Sequence, residues 1–250
     1  MRFTHEAQLI PSIGSWISAG GAEEAAGATG SMICILPGSI RRAAANGNRR
    51  PLSRRPGVPH TGAMTAPAAA FTRCPAPWGT LHIATTAVGI VAVDLGSEAP
   101  EFVDGLSRRL HGTVIPAEDA SVPARWRVTL AEAVGQISEY FSGERHAFDL
   151  PIDLRVSDWD RLVLAGAAHL DYGETASYGE LARRIGRPGA AQAVGGAMGR
   201  NPVPILIPCH RIVGAGGTLG GYGGSTYDDR MAALAIKRRL LAIEGSRLLD

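Results

Sequence analysis

Residues 201–211 read Asn-Pro-Val-Pro-Ile-Leu-Ile-Pro-Cys-His-Arg, an apolar run that ends on a thiol, an imidazole and a guanidinium in consecutive positions. Val203, Ile205 and Ile207 alternate with Pro204, Leu206 and Pro208. Both faces are apolar, so the pattern predicts a short strand buried on both sides. Prolines cannot donate to a ladder, which confines such a strand to an edge or to pairing on one side. The expected arrangement is a buried strand that delivers Cys209 and His210 rigidly at its exit.

Cysteine reacts as its thiolate, and an unperturbed thiol titrates near ~8.5. A base beside it, acting directly or through a water, raises the nucleophilic fraction, and a carboxylate behind the base orients it. His210 is the candidate base and Glu244 the candidate orienting carboxylate. A lone Cys-His pair is also what an inert buried cysteine looks like, because free cysteine is among the most buried residue types. The flanking sequence has to decide.

Upstream, Ser157–Asp160 fits a capping pattern, followed by Trp159, Leu162, Val163, Ala167 and Leu170 on one helical face. Ser177 with Glu180 forms a capping-box signature, and the helix after it carries Leu181, Ala182 and Ile185 before Gly186 ends it. Arg187-Pro188-Gly189 then turns into a second helix, AAQAVGGAM, which makes a helix-turn-helix. Ala190, Ala191, Ala193, Gly195, Gly196 and Ala197 leave that helix with little side-chain bulk. A glycine inside a helix costs roughly 1 kcal/mol relative to alanine. Keeping two of them suits close approach of another helix or of nucleic acid.

Downstream, Ile212–Val213 leads into GAGGTLGGYGG, a glycine-rich hairpin and loop without the GxxxxGK[ST] order of a P-loop. Asp228–Asp229 open a last helix whose Lys237, Arg238 and Arg239 suit the helix dipole, with Leu234, Leu241 and Ala242 facing inward. In the first half, Thr80–Ala84 and Ile90–Leu95 flank TTAVG and read as a hairpin. Pro123–Phe141 places Trp126, Leu130, Val134, Ile137 and Phe141 at helical spacing, with Ser121 as cap, Pro123 in the first turn and Gly143 as stop. A small sheet with a helix packed on it is expected there, its aromatics serving as core rather than chemistry.

The chain has 250 residues, 45% hydrophobic, with a formal charge of +2, so any nucleic-acid binding must come from a local patch. Cys34, Cys74 and Cys209 follow no metal-ligand spacing and do not suggest a disulfide framework, which points to a reducing cytoplasm. Cys74 and His82 do not complete a ligand set, so no metal is expected. No apolar stretch approaches the ~18–20 residues of a membrane span. Residues 1–69 show no sustained period and carry arginine pairs at Arg41–Arg42, Arg49–Arg50 and Arg54–Arg55. They read either as a basic arm on DNA phosphates or as a tail, with Met64 an alternative start.

NPVPILIPCHRIV, preceded by YGETASYGELARRIGRP and AAQAVGGAMGR and followed by GGYGG, resembles the O6-alkylguanine-DNA alkyltransferase family. The resemblance runs from about Trp159 to Leu249, and more weakly back to about Ala70. It implies an α+β protein: a ribonuclease-H-like domain over residues 70–155, then a mostly helical, winged-helix-like helix-turn-helix domain over 156–250. It implies one irreversible transfer of a methyl or alkyl group from O6-alkylguanine in DNA to Cys209, with O4-alkylthymine a second candidate substrate. No cofactor is implied. The partner would be double-stranded DNA, met by a monomer through the minor groove.

By motif position, the resemblance makes His210 a base acting through a water, Glu244 its orienting group and Asn201 the brace of the active-site turn. Tyr178 would hydrogen-bond the guanine and help rotate its phosphate outward, while Ile212, Tyr222, Gly223 and Gly224 line the pocket. Ala191, Gln192, Ala193, Gly195 and Arg200 would face DNA. Two departures stand out. Family members usually carry arginine at position 192, and an inserted stretch, STYDDRMA, lies between Gly224 and Leu234 beside the pocket loop. The rival readings are a non-catalytic lesion binder, a class that lacks the cysteine kept here, and a cysteine hydrolase, for which no oxyanion signature is present.

Overall fold

A four-stranded sheet in the order β3-β2-β1-β4 forms the first half. Its strands are β1 (Ala69–Ala76), β2 (Gly79–Thr85), β3 (Ile90–Asp94) and β4 (Val114–Pro116). The β1-β2 and β2-β3 pairs are antiparallel, and β1-β4 is parallel. The expected hairpin is β2-β3, whereas β1, the other inner strand, carries no such signal in the sequence. Helix α1 (Ala99–Leu110) buries Phe102 and Leu106 against Phe71, Val91 and Val114. The computed structural model describes residues 66–223 and 230–246, which belong to one compact unit. The arginine pairs and Met64, Cys34, Gly224, Asp228–Asp229 and residues 247–250 lie outside the described residues.

Helix α2 (Ala124–Phe141) packs on β1 and β2, as the periodicity predicts, but its buried stripe is Trp126, Leu130, Ala133, Ile137 and Tyr140. The register is turned by one residue from the expected Val134–Phe141 face, and Tyr140 rather than Phe141 points inward. Ser121 does not cap this helix. Its hydroxyl donates to Asp119 Oδ1 at 2.7 Å, and Pro123 takes the N-cap position with no side-chain bond.

The second half comprises α3 (Asp158–Ala168), β5 (Ala176–Ser177), α4 (Tyr178–Arg184), α5 (Ala191–Gly199), β6 (Ile212–Val213) and α6 (Arg230–Ile243). Both cap expectations hold: Ser157 accepts from the Asp160 amide, and Ser177 and Glu180 close a reciprocal capping box. The helix-turn-helix is α4-α5, and β5 pairs with β6 in parallel. On α6 the buried residues are Ala233, Ile236, Lys237, Leu240 and Leu241, while Ala242 is exposed. The inward face is therefore offset from the one expected. Among the described residues no helix is long and apolar enough to cross a membrane.

The expected strand at 203–207 is absent. The segment folds into a tight turn with one isolated bridge, Pro204 to Ile207, and Ile207 N donates to Val203 O at 3.0 Å. Two prolines have removed the donors a strand needs, and Asn201 supplies substitutes. Its Nδ2 donates to Ile207 O at 2.9 Å, and its Oδ1 accepts from Val203 N at 3.1 Å. Ile205 sits at φ 74°, a region that β-branched residues rarely enter, at a cost of order 1–3 kcal/mol. It is buried, and the surrounding packing holds it there. Pro202 O accepts from Val93 N at 2.9 Å, which pins the turn to β3.

Candidate active site

The braced turn hands the chain directly into a single 3-10 turn, Cys209–Arg211, anchored by Cys209 N donating to Ile207 O at 2.8 Å. Cys209, His210 and Arg211 are all buried. Glu244, at the end of α6, comes to meet them. His210 Nε2 lies 2.8 Å from Glu244 Oε1, and since a carboxylate only accepts, Nε2 carries the hydrogen. That tautomer leaves the Nδ1 lone pair as the basic position, and Nδ1 has no hydrogen-bond partner among the described residues.

Glu244 is held by more than the imidazole. Arg211 Nη2 donates to Oε1 at 2.8 Å and Nε to Oε2 at 2.9 Å; the Gly173 amide reaches Oε2 at 3.1 Å, and Tyr140 Oη donates to Oε1 at 2.7 Å. Gly173 has φ +79°, and a Cβ there would lie 2.9 Å from the Glu244 carbonyl oxygen, so a side chain is excluded by both conformation and space. Burial raises the Glu244 carboxyl, but its hydrogen bonds to His210 and Arg211 outweigh that and hold it below the usual carboxylate range. Burial depresses His210 and Glu244 only partly restores it, so the imidazole is neutral at pH 7.

The thiol is a different case. Burial pushes Cys209 up, opposed by the Asn201 side chain, the Lys237 charge and the Tyr222 hydroxyl. The resting side chain is therefore a protonated thiol, to be activated only when a base takes its proton. Lys237, expected only to complement the helix dipole, is fully buried. Its Nζ donates to Ile212 O and Leu219 O at 2.6 Å and to Gly221 O at 3.0 Å, and burial pushes it down to about 8 against the pull of Cys209. It ties the glycine-rich loop to β6.

Cys209 opens onto a cavity of about 300 Å³ lined by Tyr178, Met198, Gly221, Tyr222, Gly223 and Arg230, together with Gly195 and Gly199. That is the lower end of the range for small-molecule sites. Tyr178 Oη donates to Gly221 O at 3.4 Å, which sets its ring between α5 and the loop. Of the predicted pocket residues, Tyr178, Tyr222 and Gly223 line the cavity. Ile212 does not; it is buried beneath it with its carbonyl on Lys237. Gly224 lies outside the described residues.

On α5, Gln192 and Ala193 are exposed and Ala191 and Gly195 half-buried, while Val194, Ala197 and Met198 pack inward. The outer face is thus nearly flat apart from Gln192. Arg200 is exposed but already engaged, donating from Nε and Nη2 to Asp160 at 3.0 and 2.5 Å. Tyr140, Arg211, Lys237 and Gly173 join the site without having been expected there. Helical spacing carried a signal for two of them: Lys237 lies on the same α6 stripe as Ala233, Leu240 and Leu241, and Tyr140 three residues beyond Ile137.

Comparison with known proteins bears on this geometry. Residues 70–154 match the family profile described as 6-O-methylguanine DNA methyltransferase, ribonuclease-like domain, and residues 158–246 match its DNA binding domain. A methylated-DNA–protein-cysteine methyltransferase of Mycolicibacterium paratuberculosis is 51% identical over 44% of this chain and 66% of its own length. The Mycobacterium tuberculosis protein of the same name is 43% identical, over 55% of this chain and 84% of that protein. A crystal structure of Mycobacterium tuberculosis OGT in complex with DNA superposes with a TM-score of 0.56 at 35% identity, covering 70% of this chain and 92% of the other.

Proposed function

Since the chain belongs to the O6-alkylguanine-DNA alkyltransferase family, the methylated-DNA–protein-cysteine methyltransferases, we propose that its site works as a single-use acceptor built on Cys209. The protein repairs DNA by direct reversal, and DNA is its partner. The finer reading is a monomer in the cytoplasm that lays α5 in the minor groove and extrudes an O6-alkylated guanine. It divides the chain at about residue 155, where the two matched profiles meet. The flat α5 face supports groove entry, because only Gln192 projects far from it.

A buried thiol cannot reach a base inside the stack, so the nucleotide must be flipped into the cavity. Tyr178 and the Gly221–Gly223 backbone, which line that cavity, would receive it. His210 Nδ1 takes the thiol proton through a water. The sulfur pair attacks the alkyl carbon in line, the S–C bond forms and the C–O6 bond breaks. Guanine leaves with that electron pair and recovers a proton, so no proton is gained or lost overall. The product is a thioether, and no group in the site could cleave it.

One observation carries the reading: a neutral imidazole, with Nε2 committed to Glu244 and Nδ1 free to accept, follows directly on the cysteine that lines the cavity. The test is intact-mass measurement after mixing with duplex containing O6-methylguanine. The expected result is a permanent gain of one methylene mass, mapped to Cys209 and absent in Cys209→Ser. Label on Cys74, or tight lesion binding with no gain, would overturn the assignment.

A further inference from the structure

Tyr140 belongs to the first half of the chain, yet its hydroxyl lies inside the acid–base assembly of the second, 104 residues from Glu244 in sequence. We infer that Tyr140 is a positioning residue for alkyl transfer: by donating to Glu244 Oε1 it holds the carboxylate where it fixes the His210 tautomer, so the ribonuclease-like half contributes to the chemistry. This rests on the reading of Cys209 and His210 given above.

The geometry leaves the hydroxyl little else to do. The Tyr140 ring is fully buried among Phe141, Phe148 and Tyr172, with centroids at 5.7, 5.4 and 6.2 Å. Phenylalanine would fill the same space, so packing alone does not call for an oxygen. That oxygen lies 2.7 Å from Oε1 and 3.4 Å from His210 Nε2. Burial, then the Glu244 charge, pushes the phenol up, so it stays protonated and remains a donor at every working pH.

Five donors reach Glu244, against about four lone-pair sites on a carboxylate. A carboxylate so fully engaged is a weak base. It orients His210 without taking its proton, and the imidazole keeps its hydrogen on Nε2 and its lone pair on Nδ1. The titratable groups that act on His210 are Glu244, which favours the imidazolium, and Arg211 and Lys237, which oppose it. Tyr140 adds a neutral donor that weakens the first of these. Tyr172 lies behind, its ring 5.9 Å from the Arg211 guanidinium, and bonds the Ile243 carbonyl. Removing the Tyr140 hydroxyl makes Glu244 more basic, and His210 then protonates at a higher pH.

The experiment measures transfer to Cys209 from free O6-benzylguanine as a function of pH, which needs no DNA and no base flipping. If the parent does not alkylate Cys209, the assignment of the site fails and Tyr140 is not the cause. If it does, Tyr140→Phe should melt cooperatively and react up to about tenfold more slowly on the acid side of its profile, with a smaller loss at pH 7, where the parent imidazole is already neutral. The acid limb of its profile should move up by about one pH unit, the size of a lost hydrogen bond to a charged group. Phe148→Leu loosens packing on the same ring and should leave the limb in place. A limb unchanged in Tyr140→Phe, or moved equally by Phe148→Leu, overturns the inference. Should Tyr140→Phe not fold, nitrogen-15 spectra of the parent decide: Nε2-protonated His210 with a slowly exchanging Tyr140 hydroxyl supports it, and Nδ1 protonation or a fast-exchanging hydroxyl refutes it.

Discussion

Replacing Lys237 with methionine tests how the loop over the thiol is held. The side chain is fully buried, and its three hydrogen bonds all go to backbone carbonyls, those of Ile212, Leu219 and Gly221. The fall from 10.5 to about 8, at about 1.4 kcal/mol per pH unit, puts the cost of the buried ammonium at roughly 3 kcal/mol at neutral pH. Methionine removes that cost but leaves three carbonyls without donors, each worth about 1–3 kcal/mol. At a middling ~2 kcal/mol each the orphaned carbonyls prevail, and Lys237→Met should lose about 3 kcal/mol of stability at pH 7. The pH dependence supplies an independent check. The folded value lies below the unfolded one, so between about 8 and 10.5 the unfolded chain binds a proton that the folded chain has released. Stability from this group therefore rises with pH across that window and is flat below it. Urea melts of parent and variant at pH 7 and pH 10, compared pairwise, cancel the other groups that titrate in the same range. Only the parent should gain. A variant more stable than the parent at pH 7, or one with the same gain, would show that the carbonyl bonds do not hold the loop as argued.

Glu244→Gln removes the charge that compensates buried Arg211, and breaking such a pair costs about 3–5 kcal/mol. Because the folded carboxyl titrates below its ordinary value, its contribution is present above the unfolded carboxylate range and lost as pH falls through the folded value. The parent should therefore lose stability between pH 5 and 2 more steeply than the variant in thermal melts. Gln192, exposed on the flat face of α5, should affect only the duplex reaction. Gln192→Arg should speed transfer from lesion duplex, Gln192→Ala should slow it, and both should react with free O6-benzylguanine at the parental rate. Gln192→Ala matching the parent on duplex would exclude a role for this position in filling the vacated stack.

Much of this protein is decided by short-range chemistry and is legible in the chain itself. The Ser177–Glu180 capping box closes as its spacing predicts, Ser157 caps α3, and the β2-β3 hairpin forms across TTAVG, because each depends on residues a few positions apart. The Pro-Cys-His-Arg sequence and its neighbours likewise single out Cys209 and His210 as the candidate nucleophile and base, whereas Glu244 enters through the family resemblance. Side-chain pattern is a poorer guide to backbone pairing. Residues 203–207 are apolar on both faces, as a buried strand would be. But Pro202, Pro204 and Pro208 cannot donate, and Asn201 offers its own side chain as a local ladder. Tertiary structure alone decided the rest. Helical spacing left the faces of α2 and α6 uncertain by one residue, and that single step separates a surface lysine from one that binds the loop lining the cavity. It likewise separates a core tyrosine from one that reaches Glu244. The bonds joining Tyr140, Gly173, His210 and Arg211 to Glu244 span 104, 71, 34 and 33 residues. Only the Tyr140 bond crosses between the two halves, the other three join separate elements of the second, and no local propensity records any of them.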